Sequence, residues 1–289
     1  MHDATHLTLI KAHAYGNDFL LADERAAATA AGAPHDPGLG PHTPHLGLHA
    51  SSLADLAHRV CDRHRGVGAD GLMLLTEGED GTRTRLFNAD GSEAEISGNG
   101  LRCAAAWVAH RRNLDAGSAM TLGTVAGERR FELLETAGYR FRFRADMGAP
   151  EDVHVERIDM DGTAVEAVVL RVGNPQCVVL GPATADRLHA LAARLAVHPR
   201  FPEGTNVELA EVEAPDRVRI LIWERGVGPT EASGTGACAA GVAAAFAGGA
   251  GRRVEVDAPG GTQLVEWTPE TIWLSGWAEI VGTVQWWVT

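Results

Sequence analysis

The sequence has no apolar run of the roughly 18 residues that a membrane-crossing helix needs. Its longest candidate, Ala237 to Gly251, is rich in Ala and Gly and reads as a tightly packed helix. The N-terminus, MHDATHLTLI, lacks the basic head and apolar middle of a signal peptide, so the cytoplasm is the expected address. Cysteine is scarce: Cys61, Cys103, Cys177 and Cys238 show none of the close paired spacings of a metal site or disulfide framework and are expected to be reduced thiols. Basic residues are the minority, 25 against 38 acidic ones, and the formal charge of -13 argues against a nucleic-acid or anionic membrane surface as partner. A small-molecule ligand is the expectation. What is present, 45% hydrophobic and 22% charged residues with 34 glycines in 289, excludes disorder and fibres and suits one large core or two smaller ones.

The chain repeats itself. Ser97-Gly98-Asn99-Gly100 and Ser233-Gly234-Thr235-Gly236 each precede an Ala-rich stretch, and the two serines are 136 positions apart (233 − 97). The same offset pairs Glu95 with Glu231, Asn88 in RLFNAD with Glu224 in LIWERG, and Gly68 in GVGADG with Gly204 in PEGTNV. Chance is the alternative, because Gly and Ala are abundant, but one register held at four places argues for duplication. Gly16-Asn17-Asp18 and Gly173-Asn174-Pro175 match at an offset of 157 (173 − 16), so the first half carries about 21 extra residues. They are visible as the Pro/Gly/His-rich stretch Thr29 to Ala50, which reads as a surface loop.

Alternating or apolar segments predict strands near 6–13, 18–23, 71–76 and 83–88, and again near 165–171, 176–181, 206–212 and 218–223. Ser51 or Ser52 is a candidate cap for a helix carrying Leu53, Leu56, Ala57 and Val60 on one face, and Leu188, Leu191 and Leu195 mark its counterpart. The central helices should start just after Ser97 and Ser233. A Ser-Gly-x-Gly turn opening such a helix presents unpaired N–H groups at the positive end of the helix dipole, a seat for a carboxylate. A single turn of this kind reads more simply as a capped structural helix; two with matching flanks favour chemistry beside a carboxylate, with one protein group on each face of the reacting carbon.

The segments YGNDF, RGVGADG, FNADGSEAEISGNGLRC, GNPQCVVL, FPEGTNVEL and WERGVGPTEASGTGACA, in this order, resemble the diaminopimelate epimerase family over nearly the whole chain apart from the 29–50 insertion. The resemblance implies an α+β fold of two pseudo-symmetric domains, each a mixed β-sheet wrapped around a central helix, with the ligand cleft between them. The expected domains are residues 1–121 plus about 277–289, and residues 122–276. It also implies inversion of the α-carbon of diaminopimelate, on the route to lysine and cell-wall peptide, with no pyridoxal phosphate or other cofactor and no metal. In the family one cysteine thiolate removes the α-proton and an opposite thiol returns one. Carried over by position, Gly98, Asn99, Gly234 and Thr235 would hold the α-carboxylate. Asn17, Asn88, Asn174, Asn206, Glu224 and Arg225 would hold the amino groups and the distal carboxylate, Arg225 through its bidentate fork. Each asparagine also has a plain reading as a turn residue.

The sequence departs from the family at the catalytic pair, where Ser97 and Ser233 stand in place of cysteine. An alcohol is far harder to ionise than a thiol and acts as base or nucleophile only beside another base. The family's histidine after GNP is Gln176 here, which cannot relay a proton. Cys103, Cys238 and Cys177 read as core residues. Glu95 and Glu231 read as solvated turn charges, whereas Glu224 is the carboxylate best placed for acid–base work, a route for which the related phenazine-biosynthesis isomerase family is a precedent. Four readings follow: an epimerase using the two serines as weaker, relayed groups; an engineered Cys→Ser pair, which leaves Gln176 unexplained; a different isomerase or dehydratase working through Glu224; and a non-catalytic amino-acid-binding protein. The first ranks highest because the distal-group motifs match it. His42, His45 and His49, with His35 nearby, have a metal-like spacing, but in this Pro/Gly-rich setting a plain loop is the better reading. A symmetric homodimer is the default assembly.

Overall fold

The computed structural model describes residues 6–32, 50–78, 81–94, 97–125 and 127–288. His35, His42, His45 and His49 lie outside the described residues, as does Glu95. The chain forms two compact units, residues 1–142 with 277–289, and residues 143–276.

In the first unit, strands His6–Ala14 and Asn17–Asp23 pair antiparallel through the two-residue turn Tyr15-Gly16, both with positive φ (56° and 89°). This mirror-image turn matches the strand twist, and it places Asn17 at the start of the returning strand. Asn17–Asp23 then runs parallel to Gly71–Gly78, which pairs antiparallel with Gly81–Asn88, which runs parallel to Ala119–Thr124, which pairs antiparallel with Gly127–Ala137. Each parallel step requires a crossover. The first is made by helices Glu24–Ala30 and Ala50–Cys61, the second by the central helix Gly98–Arg112. Residues 279–287 of the last strand close the other edge against His6–Ala14.

The second unit repeats the pattern. Thr163–Val172 pairs antiparallel with Asn174–Leu180, which is parallel to Asn206–Ala214, which is antiparallel to Arg217–Glu224, which is parallel to Arg253–Ala258, which is antiparallel to Gly261–Trp267. Its second crossover is the central helix Gly234–Ala247. The identical alternation of pairings is what the 136-residue offset encodes, and the eight strands expected from the sequence all form.

Both central helices are buried nearly all round, which their Ala and Gly content permits by letting strands approach closely. A Cβ on Gly241 would lie 2.8 Å from Val265 Cγ1. On the outer face of the first sheet, Leu53, Leu56, Ala57 and Val60 pack against Leu7, Leu9, Leu20, Leu72, Leu74 and Phe87. Leu188 and Leu195 are buried in the corresponding cluster of the second unit, though their segment is one turn of π-helix flanked by short α-helical turns.

Three expectations need correction. The first unit extends to residue 142 rather than 121, because Gly127–Ala137 pairs with Ala119–Thr124 and cannot be detached from that sheet. The helix expected to be capped by Ser51 or Ser52 begins at Ala50, so both serines fall inside its first turn. Thr29 and Ala30 complete a helix capped by Asp23, so the insertion is helical at both ends, and residues 33–49 lie outside the described residues.

Candidate active site

Ser97 ends the approach to the first central helix in an extended conformation (φ -133°, ψ 119°), and its hydroxyl oxygen accepts the Gly100 N–H at 3.1 Å. It is half-buried, and the Asn99 side chain behind it is fully covered. Asn99 donates to Asn17 Oδ1 at 3.2 Å and accepts from Arg102 Nη2 at 2.5 Å. Arg102 is wholly buried; its Nε reaches the Gly98 carbonyl at 3.4 Å and its guanidinium carbon lies 5.3 Å from the centre of the Tyr15 ring. The structure thus brings Asn17 and Asn99 together. Asn88 is not in hydrogen-bond contact with this pair among the described contacts: its amide donates to Ser92 Oγ at 2.9 Å in the turn after its strand.

An ion cluster anchors Asn17 from the outside. Asn17 donates to Asp70 Oδ2 at 2.7 Å, and Arg63 bridges Asp70 (2.8 Å) and Asp18 (2.7 Å), while Lys11 binds Asp18 and the Gly68 carbonyl. Burial pushes the Asp18 carboxyl up, but the hydrogen bonds and charges of Arg63 and Lys11 outweigh it and hold the group down at about 2. This cluster is the physical reason that YGNDF and RGVGADG occur together: it ties the two segments across the sheet.

Ser233 has nearly the same conformation as Ser97 (φ -137°, ψ 129°) and accepts the Gly236 N–H at 3.1 Å; the Thr235 hydroxyl is 3.5 Å away. Here the serine is almost fully buried. The Gln176 amide, with its nitrogen towards Glu208, donates to both carboxyl oxygens at 3.0 and 3.2 Å and accepts the Thr235 hydroxyl at 3.2 Å, its carbonyl oxygen lying 2.5 Å from the Asn174 amide group. Glu208 is fully buried, and burial, with the nearby Glu224 charge, raises its pKa well above the usual carboxylate range. A Cβ on Gly236 would lie 2.6 Å from Glu208 Oε1, so glycine is required for this approach. Asn174, Gln176, Glu208, Thr235 and Ser233 therefore form one continuous polar array.

Asn206 accepts the Arg225 N–H at 2.9 Å, fixing the backbone after Glu224. Arg225 is exposed and donates one guanidinium N–H to the Glu203 carbonyl at 2.7 Å, its stem crossing Gly204 where a Cβ would clash. Glu224 ends its strand half-buried, and Glu231 is exposed. The four cysteines are buried and none is in a disulfide; burial pushes Cys61 and Cys103 up to about 12 and Cys177 in the same direction. A concavity of about 540 Å³ in the second unit, bordered by His154, Arg171, Arg200 and Phe201, is lined by Pro175 and Gly204 but by none of the candidate catalytic or substrate-binding residues. Among the described residues, no group of three or more His, Cys, Asp or Glu is placed to hold a metal ion, and no helix is long and apolar enough to cross a membrane.

Sequence reasoning missed Arg102 and Glu208. A signal was available for Arg102, a lone charge at the head of an Ala-rich run with Cys238 opposite it in the duplication; Glu208 stands opposite Leu72 but shares its strand with Glu211 and Glu213 and does not stand out.

The family model described as diaminopimelate epimerase matches residues 9–153 and 168–284. A diaminopimelate epimerase of Desulforudis audaxviator (strain MP104C) is 41% identical over 96% of this chain and 98% of its own length. Among solved structures, a hydroxyproline epimerase from Agrobacterium vitis with bound trans-4-hydroxy-L-proline superposes with TM-score 0.67 at 15% identity, covering 97% of this chain and 91% of that one. A phenazine biosynthesis protein of Bacillus anthracis does so with TM-score 0.67 at 14% identity, covering 97% and 98%. These two show the fold, α+β with two pseudo-symmetric halves, while the family match and the 41% identity show that the chain belongs to the diaminopimelate epimerase family.

Proposed function

We propose that the protein is an isomerase independent of pyridoxal phosphate that binds diaminopimelate and acts at its α-carbon. The observation that carries this reading is the duplicated turn: in each unit a serine cap of the same conformation opens a buried helix, whose first N–H groups have no partner within the helix and suit a carboxylate. Family membership supplies the reaction class. On this reading Gly98, Asn99, Gly234 and Thr235 bind the α-carboxylate, and Asn17, Asn88, Asn174, Asn206, Glu224 and Arg225 bind the amino groups and the distal carboxylate. Ser97 and Ser233 occupy the two proton-transfer positions, with Glu224 as the carboxylate alternative. The reaction removes the α-proton, delocalises the electron pair into the bound carboxylate, and returns a proton to the opposite face.

A second reading, amino-acid binding without turnover, is favoured by one observation. The contacts of the serine oxygens among the described residues are a backbone N–H each and, for Ser233, the Thr235 hydroxyl; neither oxygen touches a base. An alcohol so placed has nothing to take its proton. Proton NMR of LL- and meso-diaminopimelate in heavy water separates the readings. Slow loss of the α-proton signal in the unmodified chain, with faster exchange and inversion in Ser97→Cys/Ser233→Cys, is the expected result; binding with no exchange in the unmodified chain would favour the second reading. Silence in both, with no binding of either isomer, would overturn the assignment. A cytoplasmic address and a symmetric homodimer accompany this reading as proposals, supported by composition and by the frequency of two-fold assemblies; sedimentation velocity checks the second.

A further inference from the structure

A guanidinium and a carboxylate each play one part in a hydrogen bond: the first only donates and the second only accepts. Two asparagines of the first unit are strung between such a pair. The wholly buried Arg102 donates through Nη2 to Asn99 Oδ1 at 2.5 Å, Asn99 Nδ2 donates to Asn17 Oδ1 at 3.2 Å, and Asn17 Nδ2 donates to Asp70 Oδ2 at 2.7 Å. All three bonds run in one direction. Turning either amide over would set N–H against N–H on one side of it and oxygen against oxygen on the other, so the two charged groups fix both asparagines from opposite ends. The ends are themselves held. Arg102 Nε reaches the Gly98 carbonyl at 3.4 Å and its guanidinium lies over the Tyr15 ring, while Asp70 pairs with Arg63 and accepts the Asp18 N–H at 3.1 Å.

We propose that Arg102 is a positioning residue for ligand binding, acting through Asn99 to fix the direction in which the Asn17 amide is presented. Asn99 is almost wholly covered, whereas Asn17 is half-buried, so Asn17 is the member of the chain that a ligand can meet. An amide oxygen has two lone pairs and an amide nitrogen two hydrogens, and Asn17 therefore keeps one of each beyond the bonds named above. An amino acid brings an ammonium and a carboxylate. An amide of fixed direction offers its acceptor to the first and its donor to the second without being reordered on binding. The duplication places Thr235 and Cys238 at the positions of Asn99 and Arg102, and a hydroxyl rotates to either part, so the device is particular to the first unit.

This inference rests on reading the Ser97 turn and Asn17 as a ligand seat. Calorimetric titration with LL- and meso-diaminopimelate tests it through a double-mutant cycle. Asn99→Ala keeps the backbone of the turn and Arg102→Met keeps the reach of the side chain; each should weaken binding about tenfold. Both break the same chain, so the double variant should bind within about threefold of either single one. Arg102→Lys, a donor like arginine, should recover most of the loss, which a cost of misfolding alone would not explain. A double variant weakened by the product of the two losses, or an Arg102→Met variant that binds as the parent does, would refute the proposal. Should Arg102→Met not fold, Asn17→Ala with Asn99→Ala gives the same cycle along the same chain and is read in the same way.

The ligand-free protein supplies a separate reading. Exchange of the Asn17 carboxamide hydrogens with solvent, followed by NMR, should quicken severalfold in Asn99→Ala and in Arg102→Met, and unchanged rates would refute the positioning whatever the chain binds. Absence of binding by the unmodified chain would fall on the diaminopimelate assignment, and the exchange rates would still decide whether Arg102 holds Asn17.

Discussion

Replacing Asp18 with asparagine removes the one carboxylate that both Lys11 and Arg63 address. The side chain is 13% exposed, so its interactions are only partly screened by solvent. Its ionisation lies at about 2 against an ordinary 3.8, a shift corresponding to roughly 2 kcal/mol of folded-state preference for the charged form. Because the folded value is the lower one, this stability is present above the unfolded pKa and lost as pH falls through the folded value. About half of it is gone by pH 3, by the same linkage. Urea unfolding of parent and Asp18→Asn should therefore differ by about 2 kcal/mol at pH 6 and by about 1 kcal/mol at pH 3. The variant leaves Arg63 paired to Asp70 and Lys11 near the Gly68 carbonyl, so the loss should stay within this range. A difference that stays constant between pH 6 and pH 3 would show that Asp18 acts through shape rather than charge.

Two further outcomes follow from the packing. Gly236→Ala forces a methyl group within 2.6 Å of Glu208 Oε1 and should destabilise by about 1–3 kcal/mol; combined with Glu208→Ala, the cost should fall short of the sum of the two single changes, and strict additivity in thermal unfolding would refute the contact. The four native thiols should react with dithionitrobenzoate slowly in the folded protein at pH 7 and completely after unfolding, because all four are buried and burial pushes Cys61 and Cys103 up to about 12. A rapid stoichiometric reaction of the folded chain would contradict that placement.

The parts of the fold legible in the sequence were those where one face of an element is apolar and the other is not. Strands such as Gly71–Gly78 and Arg217–Glu224 announce themselves by apolar residues, and the central helices by a serine cap before an Ala-rich run. Gly127–Ala137 did not, because GERRFELLETA carries charge along most of its length and buries only Phe131 and Leu133; its membership of the first sheet is a tertiary fact. The start of the helix at Ala50 was equally hidden, since two adjacent serines offer alternative caps. At the site, the turns and Asn17 could be named from motif and duplication, but their partners could not. Asn88 bonds Ser92 within its own turn, and Asn206 bonds the backbone of Arg225; an asparagine's letter is the same in both uses. Glu208 looks like any polar residue of an alternating strand until the helix is seen covering it.

The closing of the first sheet by residues 279–287 against His6–Ala14 sets an order on the birth of the molecule. Residues 143–276 are contiguous and emerge from the ribosome complete, whereas the first unit, begun earlier, lacks an edge strand until the last residues named here have been made. During synthesis the edge of His6–Ala14 that will receive that strand stands unpaired, with its N–H and C=O groups open to any passing strand. The older half of the chain is thus the later to finish.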